Sequence, residues 1–506
     1  MKLRQKAILL STLSIAFLGD AMSQSLCIDC ISIRVGRPLV VRGPAASDLD
    51  TTFSQVKLSN NERRGFSANA TSNYATGLEP WSMGSATTPI PTLSGGSGDG
   101  FSDCGRWLAD TKRLPNNLIN GFVHAETQCN YNVGQTRKSM AYSVSADSGV
   151  SWTTPQQVIS GSDTFEPNKI TGEGDCTVAE GGDSYYYAYC LRASDWRTIV
   201  ARAPVSSPQA GNWRKWFGGT WTEPGLGGRA TALLAANTSS PGNATDAILG
   251  VGSGRWASQN QMVLLASDSI NYPPGQANGF GGVKISFSPN KTDFTRLKEP
   301  LWVADYQQWD RTAVGSQSDL FAYLSILSNQ DSSNQFESPF LVTHTYLQPG
   351  EGFDKRYLVF RDVTMTVGTT PANPQVGVAL TRWYNAATND MRSTVAPVPG
   401  NFISFAMDKS LGYLMTKAPT QFASVQLEEC TSNWPGHPDH LLTNNGTCTG
   451  YTRLRTAGWV FQSPQPNTLP LYRCYDASRT HHFASNQADC EGQGTMEWLL
   501  GYALQY

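Results

Sequence analysis

Charge is scarce in this chain. Of its 506 residues 15% are Asp, Glu, Lys or Arg, and 38 basic residues nearly balance 40 acidic ones for a net charge of -2. That balance excludes recruitment of nucleic acid or of an anionic membrane by bulk electrostatics, and leaves a small ligand that is neutral or locally paired as the expected partner. Histidine is scarce as well, with six in all, and the Cys-x-x-Cys pair of Cys27 and Cys30 has no second pair of Cys or His to complete a four-ligand set. No calcium-loop motif is present, so neither a metal nor another cofactor is expected. Segments of helical period are hard to find, whereas Gly (47), Tyr (19) and Trp (14) are plentiful, the composition of an all-β chain. The one long apolar run, Ala7 to Gly19, follows Lys2, Arg4 and Lys6 and leads into small residues near Ser25. It is too short to span a bilayer and reads as a secretory signal peptide over residues 1–25, which places the mature protein in the extracellular or periplasmic space. Ten cysteines in an exported chain imply disulfides. Cys176 and Cys190 fall on neighbouring strands and can be bridged.

The stretch Gly121 to Trp152 organises the reading. It opens on an apolar strand in which His124 and Glu126, two residues apart, share one face. It ends in Ser145, Asp147, Gly149, Ser151 and Trp152, the spacing of Ser-x-Asp-x-Gly-x-Thr-Trp with Ser151 in place of Thr. This resembles the Asp box of sialidase-like β-propellers. The resemblance implies a tight turn shaped by Asp and Gly, a Trp packed between sheets, and a position on outer turns away from the active site. No Phe/Tyr-Arg-Ile-Pro segment precedes the box, so sialic acid specificity is not implied. The propeller glycosidases at large, including the five-bladed arabinanase-like group, are the closer analogy, and a shared fold does not fix function.

Length suggests two domains. Over residues 26–400, short β-rich segments alternate with Gly, Pro and Asn turns in units of roughly 50 to 80 residues, the scale of four-stranded blades. The units open near Arg34, Gly121, Thr171, Gly228 and Asp319, which favours five blades and leaves six or seven open. The open edges are expected to close by pairing the first and last segments. Residues 401–506 change character and repeat. Cys430, His440, Asn444, Cys448 and Gly458-Trp in one copy match Cys474, His482, Asn486, Cys490 and Gly501-Tyr in the next, with an eroded copy at Phe402 to Thr416. Three such units suit a β-trefoil-like module, with Cys430 bridged to Cys448 and Cys474 to Cys490. The repeat resembles a small domain of unknown function appended to secreted hydrolases, and the module is expected to anchor the protein on glycan or cell wall.

In a propeller the first strand of each blade lines a central channel, so polar residues early in each unit converge. The candidates are His124, Glu126, Glu173, Asp175, Arg229 and Asp319. Two carboxylates across a channel meet the need of glycoside hydrolysis for one acid and one base, with Glu126 assigned as acid and Asp175 as base. Glu173 and Asp175 lie in a Gly-rich stretch that reads as a turn. Arg229 suits an anion clamp and Trp221 can stack a sugar ring. A secreted glycoside hydrolase leads. A polysaccharide lyase would use His124 as base and Arg229 against a uronate carboxylate. A lectin without turnover would use the repeated His and Asn.

Overall fold

The computed structural model describes residues 26–45, 48–83, 89–96, 98–233, 235–236, 251–267, 283–303, 319–328, 334–398, 405–434 and 437–505; the expected signal segment lies outside them. The chain is all-β: among the described residues there is no α-helix, and no helix is long and apolar enough to cross a membrane. All ten cysteines are paired, as Cys27–Cys30, Cys104–Cys129, Cys176–Cys190, Cys430–Cys448 and Cys474–Cys490. The last three are the pairs expected from strand adjacency and from the repeat.

Strands β1 (Ile31–Val35) and β2 (Leu39–Arg42) come first but belong to the last sheet of their region. Sheet I is β3 (Ser54–Lys57), β4 (Arg63–Asn69), β5 (Thr71–Gly77) and β6 (Ile90–Leu93). Sheet II is β7 (Gly105–Arg113), β8 (Ile119–Asn130), β9 (Gln135–Ser145) and β10 (Gln156–Ser160). Sheet III is β11 (Ile170–Glu180), β12 (Tyr185–Arg192), β13 (Arg197–Pro204), β14 (Arg214–Phe217) and β15 (Thr220–Pro224). Sheet IV is β16 (Ala235–Ala236), β17 (Gly252–Trp256), β18 (Gln261–Ser267), β19 (Val283–Ser288) and β20 (Phe294–Arg296). Sheet V holds β21 (Leu320–Leu327), β23 (Phe340–Leu347) and β24 (Tyr357–Val367); β22 (Gln335–Phe336) crosses to pair with β17.

Within each sheet successive strands run antiparallel, except that the two-residue β16 joins sheet IV by parallel pairing with β20. Strands β3, β7, β11, β17 and β21 neighbour one another in that order and back to β3. A narrow space of about 10 Å³ lies among them, lined by Ser54, Asp110, Thr177, Ser253 and Ser325, one residue from each. The stretch from Arg34, expected to open the first unit, instead pairs with β24 through both β1 and β2. This gives sheet V its outer edge partners and leaves neither terminal strand of the region unpaired.

The turn after β9 is shaped by its own side chains. Asp147 Oδ1 accepts the backbone N–H of Val150 (3.1 Å) and Ser151 (2.9 Å), Gly149 N–H donates to Ser145 Oγ (2.7 Å), and Gly149 has φ +83°. Trp152 then packs edge-on against Phe66 of sheet I. The turn after β19 repeats the scheme with Asn290, whose side-chain oxygen accepts from Thr292 and Asp293.

The C-terminal strands are β25 (Val376–Asn385), β26 (Asp390–Thr394), β27 (Phe405–Met415), β28 (Ser424–Trp434), β29 (His437–Thr443), β30 (Thr452–Phe461), β31 (Thr468–Asp476), β32 (His481–Ser485) and β33 (Thr495–Leu504). They form three units of one pattern, in which the first strand pairs with both others. β27, β30 and β33 pair with one another, and β26, β29 and β32 pack together. The first unit begins at β25, upstream of the boundary expected at residue 401, because β25 pairs antiparallel with β27 over most of its length and only briefly with β1.

A buried ion network joins these units to sheet V. Arg455 donates from Nε (2.6 Å) and Nη2 (3.0 Å) to Asp319 and from Nη1 (2.6 Å) to Glu429. Tyr346 donates to Asp319 (2.5 Å), and Arg392 to Glu429 (2.8 Å). Burial opposes ionisation of Glu429, but the Arg392 and Arg455 guanidiniums outweigh it and hold its pKa at about 2. Removing one partner from such a network strands the others without solvation. Arg455→Met is therefore expected to lose about 3 to 5 kcal/mol of stability, read as a lowered urea midpoint for the whole chain.

Candidate active site

A cavity of about 270 Å³ lies where sheets I, II, III and V meet, lined by Asp50, Trp107, His124, Glu126, Lys138 and Asp175 with Asn69, Ala70, Tyr131 and Tyr323. His124 and Glu126 are on β8 with one residue between them, so strand alternation gives them one face; His124 Nε2 stands 3.1 Å from Glu126 Oε1. The antiparallel register sets Lys138 of β9 directly across from Glu126. Trp107 of β7 faces His124 across the other edge, with ring centroids 5.3 Å apart.

Asp175 arrives from β11, which is a strand and not the turn expected from its glycines. Gly172 and Gly174 are needed for close approach. A Cβ on Gly172 would lie 2.2 Å from the Lys138 carbonyl oxygen, and one on Gly174 would lie 2.8 Å from His124 Nδ1. Between Gly174 and Thr177 the register slips, and Asp175 takes φ +49° in the slip. A bulge of this kind re-aims a side chain, here toward the cavity. Tyr323 of β21 repeats the arrangement with φ +54° in a slip between Ala322 and Ser325.

The hydrogen bonds fix the imidazole. The backbone N–H of Asp175 donates to His124 Nδ1 (2.9 Å), so Nδ1 carries a lone pair and the ring proton sits on Nε2, where it points at Glu126. Asp175 Oδ1 is 3.5 Å from the same Nε2, and Oδ2 accepts from Lys138 Nζ at 2.5 Å. Glu126 Oε2 accepts from the Tyr131 hydroxyl at 2.6 Å, so both of its oxygens are engaged. Asp50 Oδ1 is met by Arg356 and by the Tyr323 hydroxyl, and Oδ2 has no hydrogen-bond partner among the described residues.

The three carboxyls are tuned apart. Burial pushes Asp50 above the usual carboxylate range, aided by the Glu126 charge and opposed by Arg356. Burial acts the same way on Asp175, but the Lys138 ammonium outweighs it and holds Asp175 at about 2. For Glu126 the burial cost is outweighed by the hydrogen bond from His124, the Lys138 charge and the Tyr131 hydroxyl, and its pKa is lowered. Lys138, flanked by Asp175 and Glu126, is raised despite burial.

Of the residues expected in the site, the structure gathers His124, Glu126 and Asp175. Glu173 is 1% exposed and pairs with Lys215 at 2.6 Å; alternation alone would give it Asp175's face, and the bulge at Asp175 is what puts the two in different surroundings. Arg229 pairs at the surface with Glu223 (2.8 Å) and lies over the Phe217 ring. Trp221 packs on Trp216 and Tyr187 under the Arg202 guanidinium. Asp319 is buried in the Arg455 network. None of these four lines the cavity. The residues that sequence missed are Asp50, Lys138, Tyr131, Trp107 and Tyr323. Only Lys138 had a usable signal, its cross-strand distance from Glu126.

No family model and no curated protein matches the sequence. Among solved structures, α-L-arabinofuranosidase from Lactobacillus brevis overlaps at TM-score 0.42 and 9% identity, over 63% of this chain and 92% of that one. Endo-arabinase from Bacteroides thetaiotaomicron overlaps at TM-score 0.39 and 10% identity, over 65% and 99%. Exo-β-1,3-galactanase from Phanerochaete chrysosporium overlaps at TM-score 0.37 and 10% identity, over 83% and 99%. Likenesses this distant decide no activity, and what the cavity can do follows from its own side chains.

His124 serves two partners that an apolar residue would leave unsatisfied. His124→Leu is expected to cost about 1 to 3 kcal/mol, and His124→Gln, which keeps an acceptor and a donor, less than half of that. Chemical denaturation of both variants checks the order.

Proposed function

We propose that the chain is an exported glycoside hydrolase whose sheets I to V are the blades of a five-bladed β-propeller and whose last three units are a β-trefoil-like module that holds it on glycan. The observation that carries the reading is a single cavity with two carboxyls tuned in opposite directions, Asp50 upward and Asp175 to about 2. Hydrolysis of an acetal needs this pair, one group that keeps its proton and one that does not. In this mechanism Asp50 passes its proton to the leaving glycosidic oxygen as the bond from the anomeric carbon breaks. Asp175 takes a proton from the water that forms the new carbon–oxygen bond, and solvent exchange restores both groups. The acid role expected for Glu126 passes to Asp50, because both Glu126 oxygens are engaged and its pKa is lowered. Glu126 then acts as a positioning residue for His124 and Lys138.

The substrate is a neutral sugar. Lys138 is held between Asp175 and Glu126, and Arg356 is engaged by Asp50 and does not line the cavity, so neither cation is offered to a uronate or sialate carboxylate. The lyase alternative loses its parts for the same reason. Both nitrogens of His124 are occupied, and Arg229 is elsewhere. The disulfides fit an oxidising compartment, in keeping with export.

Incubation with neutral polysaccharides is expected to release reducing ends without ultraviolet-absorbing unsaturated products; absorbance rising in step would sink hydrolysis. Asp50→Asn and Asp175→Asn are each expected to lower kcat by about 10² to 10⁴ while circular dichroism shows the fold kept, with a lowered melting temperature because Arg356 or Lys138 loses its carboxylate. The pH profile follows from the shifts. Asp175 must be ionised, so the acidic limb lies at low pH, and Asp50 must keep its proton, so activity falls as pH rises through its raised pKa. Lys138→Met removes the charge that lowers Asp175 and is expected to move the acidic limb to higher pH. A limb that stays in place would contradict this assignment.

A further inference from the structure

A second cavity, of about 250 Å³, lies at the seam between the N-terminal segment, the chain leaving sheet IV and the C-terminal module. It has no residue in common with the catalytic cavity. Its built element is Glu299, 7% exposed. Glu299 Oε2 accepts two backbone N–H groups, from Gln375 (3.0 Å) and Val376 (2.8 Å), which pins the carboxyl. Oε1 has no hydrogen-bond partner among the described residues and is the acceptor left for the cavity. Solvent reaches this oxygen through the cavity, where a ligand hydroxyl can replace water as its donor.

At the rim the chemistry is complementary. The exposed Lys417 and Gln421 line the cavity and enter no hydrogen bond or ion pair among the described residues, so they are available as donors. Lys298 is neutralised by Asp29 at 3.1 Å. Glu299 and Lys417 offset each other, so the cavity has no surplus charge with which to hold an ion. Pro371, Ala372 and Ala418 supply small apolar faces. An acceptor at the floor, donors at the rim and apolar walls between them match one ligand class, a compact polyol with hydroxyls at its edge and C–H groups on its faces.

From this arrangement we infer that the seam cavity is a second carbohydrate-binding site, which holds one unit of a neutral glycan while the catalytic cavity works on another part of the chain. This rests on the glycoside hydrolase reading and adds to it a place where the substrate is retained. Two linked contacts on one polymer bind more tightly than either alone, through effective concentration.

The test uses the full chain carrying Asp175→Asn as the parent, run through native gels that contain soluble arabinan, galactan, xylan or β-glucan. Two variants are added to that parent: Lys417→Ala with Gln421→Ala, and Ala418→Trp, which fills the cavity mouth. All three positions are exposed, so folding is not at stake, and thermal unfolding checks it. On a polysaccharide that retards the parent, both variants are expected to bind about tenfold more weakly. In the otherwise wild-type chain the same changes should leave cleavage of a short soluble glycoside unchanged. Retardation equal to the parent's would overturn the second site and leave the hydrolase reading intact, as would cleavage of a polysaccharide that fails to retard the parent. A panel that is neither cleaved nor bound would overturn both.

Discussion

The cavity depends on one hydrogen bond between two sheets, from the backbone N–H of Asp175 to Nδ1 of His124. It holds the bulge of β11, in which Asp175 takes a left-handed conformation. It also fixes the tautomer, and so sends the Nε2 proton toward Glu126. Glu126 in turn sits opposite Lys138, and Lys138 holds Asp175. The four groups form a closed circuit in which each is oriented by the next, and Gly174 is there because any side chain would displace the imidazole from the strand.

Asp50 stands outside this circuit. It comes from the segment before β3, is met by Arg356 and Tyr323 from the far end of the region, and keeps one oxygen toward the cavity. The closure of sheet V by β1 and β2 brings those distant segments together, so the scaffold's closure and the site's second carboxyl have one cause. The Arg455 network extends the same frame into the C-terminal units through the carboxylate of Asp319.

Local periodicity made much of this legible. The shared face of His124 and Glu126, the all-β composition, the repeat around His440 and His482 and three disulfide pairs were all written in spacings of a few residues. The rest lay in contacts that no spacing reports. Asp50 sits in a stretch with no motif, and the Arg356 that meets it is 306 residues away. Gly172 and Gly174 read as a turn because glycine marks turns as well as close packing, and only the parallel pairing of β11 with β9 separates the two. Glu173 looked equivalent to Asp175 until the bulge put them in different surroundings. Asp319 stands just before β21 but is spent on packing, and Arg229, expected to open a unit, is held instead at the end of sheet III by Glu223 and Phe217.

The central claim is that Asp50 holds its proton to higher pH than Asp175 in the same cavity. The most direct measurement is a carboxyl carbon NMR titration of the protein labelled at aspartate, with the resonances assigned through the Asp50→Asn and Asp175→Asn variants. The account predicts that Asp50 titrates above the ordinary aspartate range and that Asp175 stays ionised down to about pH 2. The reverse order, or two carboxyls that titrate together near the ordinary value, would contradict it.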